Sequence, residues 1–423
     1  MDFHRTYPFS KTEDITMSDR HTSRAGMALA LAFFAGMLSS SLPTPLYPVY
    51  ISLYGFSASQ IMTVFGVYAV GVLFALAFTA SIHLRSDQYT RPLYAGLGCV
   101  LLSSLLMMFA DKFIILILGR FVTGLGSGIL MAYINRSLIK IFDTEVSNTA
   151  ALTASASLIL GQAIGPLITG EIVHYSFYTL KAPYIILFIL VLMSSFGIWR
   201  SRQVINRHST SVTIEREKVC TQSYKALSFR DVIVCCMAIF LSWAMASTFM
   251  SQGPTLARTY FNVASVQLVS YSLSAFLLIA GITQIVMRKK HHYSSLKMGI
   301  VTQLAAVFLA LYSVHLTDPY LLFISVMLEG FAYGAILVGA ATIVNMVARQ
   351  SQRHHLINLL YIVGYAGNWL PFSLSVMMDR FPQETALNGY LSLCSVLSAC
   401  IALSAYFAGR SKTKLRVGSY NTK

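Results

Sequence analysis

Long apolar runs recur along this chain at short intervals, and they restrict its fold more than any other feature. Each is roughly 20 residues, long enough for a helix to cross the ~30 Å hydrocarbon core of a bilayer. Twelve can be counted, over about 26–50, 58–82, 92–110, 113–136, 147–172, 182–200, 231–255, 264–287, 296–315, 319–346, 355–377 and 387–408. Backbone groups in lipid find no water to bond, so such segments must close their own hydrogen bonds as helices. Composition agrees: 11% of the residues are charged, where an average soluble domain has about 25%.

The formal charge of +15 would suggest nucleic acid in a soluble protein. Its distribution points elsewhere. With the N-terminus in the cytoplasm, only Lys112, Lys181, Arg258 and Arg380 of the 31 Lys and Arg fall on the opposite side, and Arg120 lies within a segment. The rest follow the positive-inside pattern, which places both termini in the cytoplasm. The basic residues therefore face anionic lipid headgroups rather than nucleic acid. Residues 1–25 are polar and the first apolar run is too long for a leader, so a cleaved signal peptide is not expected. Cys99, Cys235, Cys236, Cys394 and Cys400 lie in segments and Cys220 in a connection, without C-x-x-C spacing. Neither a disulfide framework, a metal nor a cofactor is expected.

One connection stands out. Residues 201–230 are polar and basic, and they divide the segments six and six, as a duplicated bundle would. Internal similarity supports duplication. "GRFVTG" at 119–124 in the fourth segment matches "EGFAYG" at 329–334 in the tenth, pairing Phe121 with Phe331 and Gly124 with Gly334. The fifth segment carries "GQAIGPLITG" and the eleventh "GYAGNWLPF", both with glycines followed by proline. The expected fold is all-α, with twelve transmembrane helices in two pseudo-symmetric six-helix bundles. The expected organisation is a tail over 1–25, a bundle over 26–200, a linker over 201–230, a second bundle over 231–409 and a tail over 410–423.

In "GQAIGPLITG", stepping back by fours from Thr169 gives Gly165, Gly161, Ser157 and Thr153. All are small, and residues four apart share one helix face. Such a face lets another helix approach closely in lipid, while Pro166 removes a donor and bends the outer half. One segment earlier, Arg120 precedes Gly124, Gly126 and Gly128. An arginine within a span costs at least ~2.5 kcal/mol on insertion, so it faces a cavity or partner, or snorkels to the headgroups.

Arg120 with Gly124, Gly126 and Gly128 resembles the fourth-helix signature of the major facilitator superfamily. "GQAIGPLITG" resembles the fifth-helix signature of its proton-coupled drug and metabolite antiporters, with Thr169 in place of a second glycine. The loop signature between the second and third helices keeps Asp87 and Arg91, while His83, Thr90 and Pro92 replace other members. The first segment lacks the carboxylate common in drug antiporters. The resemblance implies an alternating-access carrier with a central cavity between the halves. It implies that Arg120 takes part in proton coupling or in the cavity network, and that Gly161, Gly165, Pro166 and Gly170 pack against the other half.

A proton-coupled carrier needs a group whose charge changes during its cycle. Glu329 lies about ten residues into its segment, near mid-membrane at 1.5 Å per residue, and intramembrane acids are functional candidates. The alternative is an internal hydrogen bond that holds the helix. Glu171 either meets Arg120 or is solvated near the outer surface. Pro43, Pro45 and Pro48 break the outer end of the first segment. Tyr47, Tyr50, Tyr68, Gln162, Asn368 and Trp369 are cavity candidates, or else belt and interhelical residues.

The expected function is a proton-coupled exporter of a small organic molecule such as a drug or secreted metabolite, a siderophore included, acting as a monomer in a bacterial inner membrane. The alternatives are an importer of a sugar or other metabolite, and a non-transporting receptor or scaffold. The last predicts a sizeable extramembrane domain, and the sequence has none. Enzyme signatures such as H-E-x-x-H, Gly-x-Ser-x-Gly and the Walker loop are missing, so an ion gradient is the expected energy source.

Overall fold

The structure, a computed structural model, describes residues 11–81, 89–142, 147–175, 179–207, 229–347 and 353–418. All regular structure among the described residues is helical, and twelve helices are long and apolar enough to span a membrane. They are α1 Thr22–Tyr54, α2 Ala58–Thr79, α3 Thr90–Met108, α4 Phe113–Ile141, α5 Leu152–Tyr175, α6 Ala182–Asn206, α7 Arg230–Ser251, α8 Val266–Met287, α9 His292–Leu316, α10 Pro319–Asn345, α11 Leu359–Met378 and α12 Gln383–Tyr406. Helical structure continues past several of the expected boundaries: from Lys11 into α1, from α6 to Arg207 and from α12 to Gly418. The connection after α6 is thus shorter than 201–230, and its residues 208–228, with Cys220, lie outside the described residues.

Two cores form, one per half. Leu29, Phe33, Leu97, Leu130 and Tyr184 belong to the first, and Ile239, Leu273, Val307, Ile336 and Tyr390 to the second. Packing repeats at an interval of six helices. α1 packs on α5 as α7 does on α11, α2 on α4 as α8 on α10, and α3 on α6 as α9 on α12. Across the halves, α5 meets α8 and α2 meets α11, again a symmetric pair.

Glycines set the closest approaches. A Cβ on Gly124 would stand 2.2 Å from the carbonyl oxygen of Tyr68 in α2, and one on Gly334 would stand 2.4 Å from that of Ala280 in α8. Gly126, two residues and about 200° further round, instead meets Gly96 and Val100 of α3, while Gly128 returns to Val72 and Ala75 of α2. The fourth helix is thin on two sides because it is wedged between two neighbours.

The fifth-helix glycines divide differently from expectation. Gly161 packs against Phe34 and Met37, and Gly165 against Leu38, Ser41 and Leu42, all on α1 of the same half. Only Gly170 meets the other half, at Ser270 of α8. Helical spacing is the reason. Gly161 and Gly165 share a face, whereas nine residues carry Gly170 about 180° round from Gly161. Pro166 is buried within the continuous helix.

Candidate functional site

The site begins with the break in α1. Pro43 and Pro45 have no N–H for the carbonyls of Ser39 and Ser41, one turn earlier. The α-helix stops at Ser41, passes through a 3-10 turn over Thr44–Leu46 and resumes over Tyr47–Tyr54. Two carbonyls at this break are taken by neighbouring helices. Arg120 Nη1 donates to Ser40 O at 2.9 Å, and Thr169 Oγ1 donates to Leu42 O at 2.8 Å. The threonine that replaces a signature glycine therefore satisfies a broken helix, as buried backbone in a membrane requires.

Arg120 is 0% exposed. It does not snorkel; its guanidinium lies 4.9 Å from the ring centroid of Tyr68 and 5.9 Å from that of Phe65, within cation–π range. Its Nε and Nη2 have no hydrogen-bond partner among the described residues. Tyr47 sits beside it, its hydroxyl likewise without a bond of acceptable geometry.

Arg120 borders a cavity of about 160 Å³ between the halves. The first half contributes Ser40, Phe65, Tyr68 and Gln162, and the second Trp243, Ser247, Tyr333, Tyr365 and Asn368. Asn368 enters at a break in α11, where the helix ends at Gly367 and restarts at Leu370. There its Oδ1 accepts from Ser247 Oγ at 2.5 Å. Breaks in spanning helices commonly line transport paths, and here α1 and α11 both break beside the cavity.

Of the expected cavity residues, Tyr68, Gln162 and Asn368 line it. Tyr47 and Tyr50 do not: both are buried in the core of the first half, because the 3-10 turn rotates the helix after the prolines. Trp369 packs instead over Gly66 of α2. The sequence reading passed over Tyr333 and Tyr365, although both stand in the quoted motifs "EGFAYG" and "GYAGNWLPF". In both motifs a tyrosine next to the close-packing glycines lines the cavity. Trp243, Phe65, Ser247 and Phe276 also line the cavity without a local sequence signal.

Glu329 is 0% exposed, yet it is outside the cavity. Gln303 of α9 donates to its Oε1 at 3.4 Å, and its Oε2 has no partner among the described residues. Ser242, Tyr390 and Cys394 surround it. The match of Phe121 with Phe331 explains this placement. Glu329 corresponds to Gly119, which packs on Met107 of α3, and not to Arg120. One residue turns the helix by about 100°, so Glu329 faces α9 while Arg120 faces the cavity. No described contact joins them.

Glu171 does not meet Arg120 either. Its carboxylate accepts from Gln267 Nε2 at 3.0 Å and from the Tyr271 hydroxyl, both on α8. This bond lies where the odd-numbered helices end. Two more ties between the halves lie at that same end: Ser59 N donates to Asp379 Oδ2 at 3.4 Å, and Gln252 Nε2 to Ala58 O at 3.3 Å. Of the loop signature, Arg91 is exposed in the first turn of α3, and Asp87 lies outside the described residues. No cluster of metal-ligating side chains occurs among the described residues.

The model of the Major Facilitator Superfamily matches residues 29–371. No curated protein matches the chain significantly in sequence. Solved structures match in fold. A bacterial homolog of the human lysosomal transporter Spinster, inward-facing and occupied, aligns with TM-score 0.66 at 14% identity, covering 92% of this chain and 97% of that one. The peptide transporter POT aligns with TM-score 0.73 at 12% identity, covering 91% and 95%. The nucleoside transporter NupG aligns with TM-score 0.66 at 13% identity, covering 90% and 99%.

Proposed function

The chain belongs to the Major Facilitator Superfamily, and we propose that it is a proton-coupled exporter of a small organic molecule, working by alternating access as a monomer. That it is a multi-pass membrane transporter follows from the family and the twelve spans. The observation that carries the reading is the cavity between two six-helix halves, bordered by breaks in α1 and α11 and bridged at one end by Glu171, Asp379 and Gln252.

Orientation follows from charge. The positive-inside pattern puts both termini in the cytoplasm, so the bridged end faces outward and the cavity loads from within. The protein sits in the bacterial inner membrane, with its basic connections against anionic lipid. Each half has its own core, and the halves meet along two symmetric seams, α5 on α8 and α2 on α11, which suits rocking of one half against the other.

Glu329 carries the proton in this reading. It is a buried carboxyl with one oxygen lacking a hydrogen-bond partner among the described residues, and intramembrane acids of this kind mark proton relays. Tyr333, one turn along α10, lines the cavity, so a shift of α10 on protonation reaches the substrate directly. Arg120 acts from the other half on the substrate side. Glu329 and Arg120 therefore communicate through helix movement and not through contact.

Two experiments test the proposal. Comparing small molecules inside and outside a deletion strain and its parent identifies the direction. Accumulation inside the deletion strain supports export, and failed uptake replaces it with the importing symporter. In reconstituted vesicles, Glu329→Gln is expected to abolish proton-driven transport while leaving downhill exchange. Full proton-driven transport by that variant removes Glu329 from the mechanism.

A further inference from the structure

We infer that the cavity is built for an organic monoanion, a carboxylate on a flat apolar body of about one ring, held through the side of the Arg120 guanidinium. The inference rests on the transporter reading and names its substrate class.

Charge is the first argument. Among the described residues that line the cavity, Arg120 is the one charged side chain, with neither Asp nor Glu beside it. Glu171 is bound to α8, and Glu329 lies outside the cavity beside Gln303. A buried, uncompensated guanidinium disfavours a second cation and favours an anion, because little solvent screens it. The missing carboxylate in α1, which a cationic substrate would want, fits the same picture.

The second argument is the pattern of unused donors. Nη1 is held by Ser40 O, and the two nitrogens left without acceptors among the described residues are the buried Nε and Nη2. These two form the side edge of the fork, whose parallel N–H groups match both oxygens of one carboxylate. The Tyr68 and Phe65 rings, 4.9 Å and 5.9 Å from the guanidinium, hold that fork in place by cation–π attraction, for which arginine suits better than lysine. Tyr47 lies beside the guanidinium, but one neutral hydroxyl can take a single N–H and leaves the charge unmatched. The Trp243 Nε1 is another buried donor without a partner.

The third argument is the body of the site. Phe65, Tyr68, Trp243, Phe276, Tyr333 and Tyr365 supply aromatic walls, which favour a flat apolar group. A volume of about 160 Å³ is close to the ~150 Å³ that accommodates benzene in an engineered protein cavity.

The test uses the full-length protein in lipid nanodiscs with radiolabelled benzoate, and benzamide and benzylamine as neutral and cationic competitors sharing the ring. Benzoate is expected to bind, with both competitors about ten- to a hundredfold weaker, the ratio that a charge-assisted hydrogen bond supplies. Arg120→Gln is expected to erase the preference, and Arg120→Lys to keep its sign at reduced affinity. Equal or tighter binding of benzylamine, absence of benzoate binding at millimolar concentration, or an unchanged preference in a folded Arg120→Gln protein each overturns the inference. If the glutamine variant does not fold, the ranking of the three ligands on the unaltered protein decides alone. Flux of benzoate is measured separately in vesicles. Binding with that preference but without flux overturns the transport reading and leaves the site standing.

Discussion

Replacing Gly124 by alanine tests the link between helix packing and the cavity. An added Cβ would lie 2.2 Å from Tyr68 O, 2.9 Å from Val72 N and 3.0 Å from the Gly71 Cα, all backbone of α2. Backbone cannot rotate away as a side chain does. Ordinary contact begins at 3.4 Å, so α2 and α4 must part by about 1 Å, and a gap of that size forfeits a quarter to a half of the dispersion energy along the seam. Overpacking of this kind costs about 1–3 kcal/mol. The displaced residue matters more than the sum: the Tyr68 ring makes the cation–π contact with Arg120 and lines the cavity. Gly124→Ala is therefore expected to lower the melting temperature of the purified protein and to weaken substrate binding beyond what lost stability explains. Gly334→Ala, 2.4 Å from Ala280 O in the counterpart seam, is expected to cost similar stability without touching Arg120. Gly98, with nothing within 4 Å of its added Cβ, is the control and is expected to accept alanine unchanged. If Gly124→Ala melts with the native protein, or Gly98→Ala melts lower than either, the close-packing account is wrong.

Thr169→Val leaves Leu42 O without its donor in a membrane interior. A loss of about 0.6–1.7 kcal/mol in stability is expected from interhelical hydrogen bonds of this type, and Thr169→Ser is expected to restore it; equal melting of all three forms would show the bond to be idle. Glu171→Gln removes the charge that Tyr271 and Gln267 bind across the halves. Spin labels at the ends of α5 and α8 are expected to report a larger share of separated molecules, and an unchanged distance distribution would take Glu171 out of the closure.

Some of this was legible in the residues and some was not, and the division is physical. Hydropathy is summed over neighbours in the chain, so the twelve spans could be counted before any contact was known. Register between the halves was legible too. The match of Phe121 with Phe331 placed Glu329 opposite Gly119 and one residue off Arg120. What the comparison of motifs could not convey was that this offset turns one charge to the cavity and the other into a core. The helix ends in the connections were the least legible: Lys11 and Gly418 lie in helices that carry on through polar sequence, where hydropathy has nothing to say.

The fifth-helix stretch shows the boundary most plainly. The sequence by itself determined that Gly161, Gly165 and Thr169 share one face, because a helix repeats every 3.6 residues whatever surrounds it. It also determined that three prolines would break the first span. Only the tertiary structure decided that this face meets α1 of its own half, that Thr169 and Arg120 take carbonyls at the proline break, and that of the three glycines Gly170 is the one that meets α8. Spacing along a helix is a local property. The neighbour that a face meets depends on how all twelve helices share one volume, and that has no signature within any single segment.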